Sequence, residues 1–204
     1  SVLFQHLQDS IYRGLENIDG KAKFTIDNWN RSGGGGGITR VIENGAVFEK
    51  GGVNFSEVYG QTPEFLKKES DSELDLFYAT GVSLVIHPAS PMIPIVHMNV
   101  RYFEMGDNTK WFGGGIDLTP IYVVEDDARF FHRQLKNTCD KFDKAYYPEF
   151  KKWADDYFYI NHRNETRGVG GIFFDRLMPS SHHSLEQRFE FVRAVGETFL
   201  PTYS

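Results

Sequence analysis

Two runs with the alternation of β-strands, residues 81–87 (GVSLVIH) and 95–103 (IVHMNVRYF), flank a short proline-rich connection, PASPMIP, and constrain the fold more than any other feature. Successive strand side chains point to opposite faces of a sheet. Ser83 and His87 therefore share one face, with Val82, Leu84 and Ile86 on the other. In the second run His97, Asn99 and Arg101 oppose Val96, Met98 and Val100. A hairpin pairing His87 with Ile95 sets Val85 opposite His97 and Ser83 opposite Asn99, so all five polar residues fall on one side. The run WFGGGIDLT, expected to continue as a strand to Val123, extends the pattern, since Gly113, Gly115 and Asp117 alternate with Phe112, Gly114 and Ile116. Small residues beside polar ones leave room for something large and flat.

A polar strand face is often simply solvated. This one carries Ser, His, Asn, Arg, Asp and Gly in place of the usual Lys, Glu and Thr, which points to a ligand site. His97 and Asp117, an imidazole and a carboxylate on that face, are the candidate catalytic pair. Ser83, Asn99 and Arg101 are candidate ligand contacts, and Arg40, just after a run of five glycines, is another. His132, on the apolar side of a helical stretch, and His162, after an aromatic one, add to His87 and His97 as four imidazoles that could hold a transition metal. No close-spaced metal motif such as HExxH is present, and a lone inward histidine is more often a hydrogen-bonded core residue. A two-histidine, one-carboxylate set of His87, His97 and Asp117 is a competing oxygenase reading.

The remaining chain supplies helices. VLFQHLQDSIYRGLENID places Leu3, Leu7, Ile11 and Leu15 four apart before Gly20. Strands are expected in KFTIDNW and ITRVIENGAVFEK, the latter with an Asn44-Gly45 hairpin turn, and a short helix around 63–68. Helical spacing returns at 125–142, and a further helix begins at Pro148 with Phe150, Trp153, Tyr157 and Phe158 inward. Ser184 and Gln187 form a capping-box pattern for a last helix. The expected class is α+β: a broad antiparallel sheet with helices packed on it.

The 204 residues suit one domain, and 40% hydrophobic content is that of a globular chain with no run able to span a membrane. A net charge of -6 argues against nucleic acid as the main partner. Cys139 is the only cysteine, which excludes an internal disulfide and suits a reducing compartment. It lies on an inward helical face and reads as packing. With no secretory pattern at its start, the chain is not expected to be exported, and its Asn-X-Ser/Thr triplets at Asn30, Asn54 and Asn164 carry no meaning. SGGGGGITR fits neither GxGxxG nor the P-loop, and Ser83 lacks the glycine that closes a nucleophile elbow.

Four blocks carry a resemblance: SGGGGGITRVIENGAVFEKGGVN, GVSLVIHPASPMIPIVHMNVRYFE, KWFGGGIDLTP and YPEFKKWADDYFYINHRNETRGVGGIFFDRL. In order and content they resemble the signature blocks of the oxygen-dependent coproporphyrinogen III oxidases, from Phe24 to Leu177. The resemblance implies a broad antiparallel sheet with helices on both faces. It implies oxidative decarboxylation of two propionates of coproporphyrinogen III to vinyls, with molecular oxygen as co-substrate and no required cofactor. It makes Ser83 a substrate contact, His97 a proton donor, and Asn99, Val100 and Arg101 the substrate-binding segment. It matches His87, His97, His132 and His162 to positions proposed to bind a divalent metal such as manganese, and residues 41–50 to a homodimer contact. It implies a cytoplasmic enzyme, or one of the mitochondrial intermembrane space. Family members continue through a YDRGT-like block and a glycine–arginine segment with no counterpart here, so residues 1–204 are expected to be a single domain lacking its C-terminal part. The family's proposed carboxylate base lies in that part. A non-catalytic tetrapyrrole-binding protein is the remaining alternative.

Overall fold

A computed structural model describes residues 1–62, 76–106 and 109–204. The helix expected around 63–68 lies outside the described residues. Helix α1 (Val2–Asp19) buries Phe4, Leu7, Ile11 and Leu15, the one-sided stripe its spacing predicts. It ends at Gly20, whose φ of 71° is the left-handed cap that glycine adopts without a Cβ penalty. Strands β1 (Thr25–Asn30), β2 (Gly35–Glu43), β3 (Phe48–Gln61), β4 (Leu76–Pro88), β5 (Ile95–Met105) and β6 (Thr109–Thr119) follow. After β6 come α2 (Glu125–Asp140), α3 (Tyr146–Tyr157), the short pair β7 (Tyr159–Ile160) and β8 (Glu165–Thr166), then β9 (Gly170–Leu177). Two helices, α4 (Leu185–Glu197) and α5 (Phe199–Tyr203), close the chain.

Seven strands form one antiparallel sheet in the order β1-β2-β3-β4-β5-β6-β9. The central hairpin has the register that alternation predicts, with Ser83 opposite Asn99 and Val85 opposite His97. Four elements differ from expectation. β2 begins at Gly35, three residues before the expected Ile38, because the missing side chains of glycines 35–37 let β1 and β3 pass close; a Cβ on Gly36 would lie 2.3 Å from the Trp29 carbonyl. β6 stops at Thr119, short of Val123. GGIFFDRL is a full strand, β9, which its glycines had concealed. Helix α3 begins at Tyr146, so Pro148 sits inside the first turn, where its lack of an N–H costs nothing.

One face of the sheet is apolar: Val53, Leu84, Met98, Ile116 and Ile172 lie in one row across β3, β4, β5, β6 and β9. α1, α2 and α4 cover this face, and their buried side chains join the strands in a single core. Gln8 ties α1 down from within, donating to the carbonyls of Ile38 (2.7 Å) and Val53 (2.8 Å). The α+β class and the broad antiparallel sheet are as the sequence implies, but the helices are unequally shared. Among the described residues only α3 reaches the second face. It runs along the edge strand β9, setting Phe150 on Phe174 toward the core and Trp153 and Tyr157 on Phe173 toward the other side. Ser184 and Gln187 complete the capping box that starts α4.

Candidate active site

The second face, which α3 alone reaches among the described helices, carries the alternate residues of the same strands. Asn54, Ser83, Asn99, Gly115 and Phe173 form one cross-strand row, and Val85, His97, Asp117 and Gly171 form the next. A cavity of about 590 Å³ lies on these rows. Its floor is Ser83, His97, Asn99, Arg101, Gly115 and Asp117, and its wall is Trp153, Tyr157, Phe158 and Phe173. A second hollow of about 330 Å³ continues it past Arg101 along Gly81, Ala79 and Phe103. Size is one requirement for a flat macrocycle, and aromatic walls with few directed polar groups are another.

At one end of the cavity Asp117, 3% exposed, accepts a hydrogen bond from Arg167 Nη2 at 2.9 Å. His97 Nδ1 lies 3.3 Å from the same carboxylate oxygen, within ion-pair range, although the approach is too poorly aligned to count as a hydrogen bond. The Arg167 guanidinium also stacks 4.1 Å from the centre of the Phe158 ring. At the other end Arg101 is gripped from two sides. Its Nη1 donates to Asn99 Oδ1 at 2.6 Å and its Nη2 to Asp175 Oδ1 at 3.0 Å. Two arginine–carboxylate pairs therefore bracket one floor, each fixing a planar fork of donors.

The structure brings together Ser83, His97, Asn99, Arg101 and Asp117, and leaves out other residues expected there. Arg40 stands on the opposite face, in register with Val53, where it pairs with Asp9 (3.1 Å) and lies 3.8 Å from the centre of the Tyr12 ring. Sequence adjacency to the glycine run could not reveal this; strand parity decides it. Val100 is fully buried in the core face, so no side-chain contact to a ligand in the cavity is open to it.

The four histidines do not converge. His132 is engaged at both ring nitrogens, by the Val169 carbonyl (2.9 Å) and the Tyr147 hydroxyl (3.1 Å), and burial lowers its pKa. His162 is exposed in the turn between β7 and β8. His87 shares the open side by alternation but pairs across the ladder with Lys50 and lies outside the cavity lining. Asp117 is already held by a guanidinium. Among the described residues no group of three or more His, Cys, Asp or Glu side chains is placed to hold a metal ion, so neither the four-histidine set nor the set of His87, His97 and Asp117 fits one. Cys139 is buried, and burial pushes its thiol up to about 12, away from nucleophilic use.

Arg167, Asp175 and the aromatic wall were not assigned to the site from sequence. Arg167 and Asp175 come from an irregular segment and a glycine-rich strand, where no periodicity announces a face. Helical spacing predicts Trp153 and Tyr157 inward. They are 38% and 62% exposed and border the cavity instead.

Fold and site define a class: an α+β protein whose cavity, bracketed by two arginine–carboxylate pairs, occupies the polar face of an antiparallel sheet. The particular family follows from comparison with known proteins. Residues 1–204 match the family model described as coproporphyrinogen III oxidase, and the chain belongs to that family. It is 46% identical over 225 aligned positions to the oxygen-dependent coproporphyrinogen-III oxidase of Prochlorococcus marinus strain NATL2A, covering 98% of this chain and 64% of the relative. The same-named protein of strain MIT 9515 is 52% identical over 175 positions, covering 85% of the chain and 51% of the relative. The chain thus spans between half and two thirds of the length of these curated relatives.

Proposed function

We propose that this chain forms the substrate cavity of an oxygen-dependent coproporphyrinogen III oxidase, and that its 204 residues belong to a single domain whose C-terminal part lies beyond them. The observation that carries the reading is the juxtaposition, in one cavity, of the His97–Asp117–Arg167 cluster and the Arg101 fork. Each turnover of a propionate can be written RCH2CH2COOH + O2 → RCH=CH2 + CO2 + H2O2. Oxygen takes two electrons, the carbon–carboxyl bond breaks, and a vinyl forms. What the protein must supply is orientation and proton handling. Arg101 offers a propionate charge-assisted hydrogen bonds in a fixed plane. His97 and Asp117 sit together at the other end, where a proton leaving the substrate can be received. The small residues between, Ser83 and Gly115, let a ring approach the sheet.

The enzyme is proposed to use no organic cofactor, to lie in the cytoplasm, and to pair as a homodimer through residues 41–50. That segment closes β2 and opens β3. Its turn is held by Asp19, which accepts from the backbone N–H groups of Ala46, Val47 and Phe48. Exposed Glu43, Asn44, Ala46, Glu49 and Lys50 give it a surface for a second copy. No described helix is long and apolar enough to cross a membrane. The decisive experiment loads the protein, at its relatives' full length, with coproporphyrinogen III without oxygen and then admits oxygen. Vinyl product and CO2 in equal amounts support the reading; bound but unchanged substrate sinks it.

A further inference from the structure

We propose that Asp175 is the positioning residue for Arg101, aiming its guanidinium into the cavity so that a substrate carboxylate meets a preset fork; this rests on the function proposed above. Three independent features converge on the contact. First, Arg101 on β5 and Asp175 on β9 are separated by a whole strand, β6, yet their side chains meet at 3.0 Å. Second, the strand between them has a glycine at the crossing point. A Cβ on Gly113 would lie 2.6 Å from Asp175 Oδ1 and 2.7 Å from Arg101 Nε, so any larger residue would push the two side chains from the positions in which they meet. Third, the β6–β9 ladder slips between Phe112 and Gly114, and Arg176, next to Asp175, takes a φ of 49°. A bulge of this kind re-aims a side chain, and bulges recur beside active sites. The irregularity and the glycine serve one contact.

The chemistry follows from the donor count. A guanidinium has five N–H groups, and Asn99 and Asp175 engage one each through Nη1 and Nη2. Both partners hold the fork from the protein side, leaving donors for an incoming carboxylate. Without Asp175, Arg101 keeps its charge and loses its plane. Asp117 and Arg167 are matched in the same way at the far end, so the two pairs cancel in charge. Selection of an anionic substrate must then come from directed donors more than from net positive potential.

The test is an anaerobic titration of coproporphyrin III, followed by porphyrin fluorescence, on the parent, Asp175→Ala, Arg101→Met and the double variant. Asp175→Ala should weaken binding about tenfold or more, the equivalent of one misaligned charge-assisted hydrogen bond. In the Arg101→Met background the same change should do nothing further, because Asp175 acts only through Arg101. Gly113→Ala, which crowds the bridge without altering either partner, should weaken binding in the same direction. Asp175→Asn, which keeps an acceptor oxygen, should restore part of it, with melting temperatures confirming that each variant folds. Asp175→Ala binding as tightly as the parent, or its full effect persisting without Arg101, would overturn the assignment while leaving the proposed function intact. A folded parent that binds no porphyrin would remove both.

Discussion

On β5, Val96, Met98 and Val100 are buried beneath the helices, whereas His97, Asn99 and Arg101, each one peptide away, remain half-buried on the cavity floor. The two faces of the sheet share a backbone and differ in what satisfies their side chains. The covered face is held chiefly by apolar burial, at about 25 cal/mol per Å² removed from water, with directional contacts such as those of Gln8 and the Arg40–Asp9 pair added to it. The open face has little to bury at its polar end, so its charged groups satisfy one another: Arg167 with Asp117, Arg101 with Asn99 and Asp175. The lesson is a division of labour. One side of each strand supplies the free energy that lets the other side hold polar groups in a geometry useful for chemistry.

The sharpest way to break the comparison is to move a charge across it. Met98→Asp places a lone carboxylate in the core, and burying an unpaired charge should cost at least about 5 kcal/mol, enough to abolish cooperative melting. Asn99→Asp, its neighbour on the open face, should leave a cooperative transition. Two cooperative transitions of equal midpoint in circular dichroism would mean the faces are not distinct. On the open side, His97→Ala in a protein of full family length should lower turnover about a hundred- to ten-thousand-fold, the range for a positioned acid–base group. The melting temperature should hardly move, because a half-exposed ring is lost. A large drop in stability with unchanged turnover would reverse the roles assigned to the faces.

A third change probes how the covered layer is tied at its end. Asp19 accepts five backbone N–H bonds, from Lys21, Ala22, Ala46, Val47 and Phe48. Burial by itself would raise its pKa, but the backbone donors outweigh that and hold it well below the usual carboxylate range. Asp19→Ala should cost about 3 kcal/mol at neutral pH, since two or more buried N–H groups lose their acceptor at about 1–3 kcal/mol each. Because the folded pKa is depressed, this stabilisation is complete above the unfolded value of about 4 and fades as pH falls toward the folded one. Denaturant curves of parent and variant should therefore converge in acid; a gap that stays constant would exclude the carboxylate as the cause. The smallest effect is expected for Arg40→Met, on the covered face. Porphyrin affinity should stay within about twofold of the parent, while Arg101→Lys, on the open face, costs about 1.5–3 kcal/mol of binding. Similar losses for both would place Arg40 back in the site.

Much of the fold was legible because its signals are local. The alternation in GVSLVIH and IVHMNVRYF is a property of a few adjacent residues, and the short connection between them admits one favourable register, which is the one observed. The α1 stripe and the Ser184–Gln187 capping box are likewise short-range. The site was half legible for the same reason. Ser83, His97, Asn99, Arg101 and Asp117 share a face by counting in twos. Arg40 was misplaced because counting begins anew in each strand, and only the ladder between β2 and β3 ties its parity to that of β4.

What the tertiary structure alone decided is which distant segments complete the cavity. β9 pairs with β6 only after the chain has run through two helices and a hairpin, so nothing near Gly170–Leu177 shows that Asp175 will face Arg101. Arg167 and the aromatic end of α3 arrive by the same return. The four histidines, evenly plausible as a set on paper, are dispersed by it onto a helix, a turn and two strands. Alternation is set by the stereochemistry of each residue, and a sequence displays it directly. Convergence depends on the closure of long loops and the packing of whole elements, and no single stretch of sequence contains it.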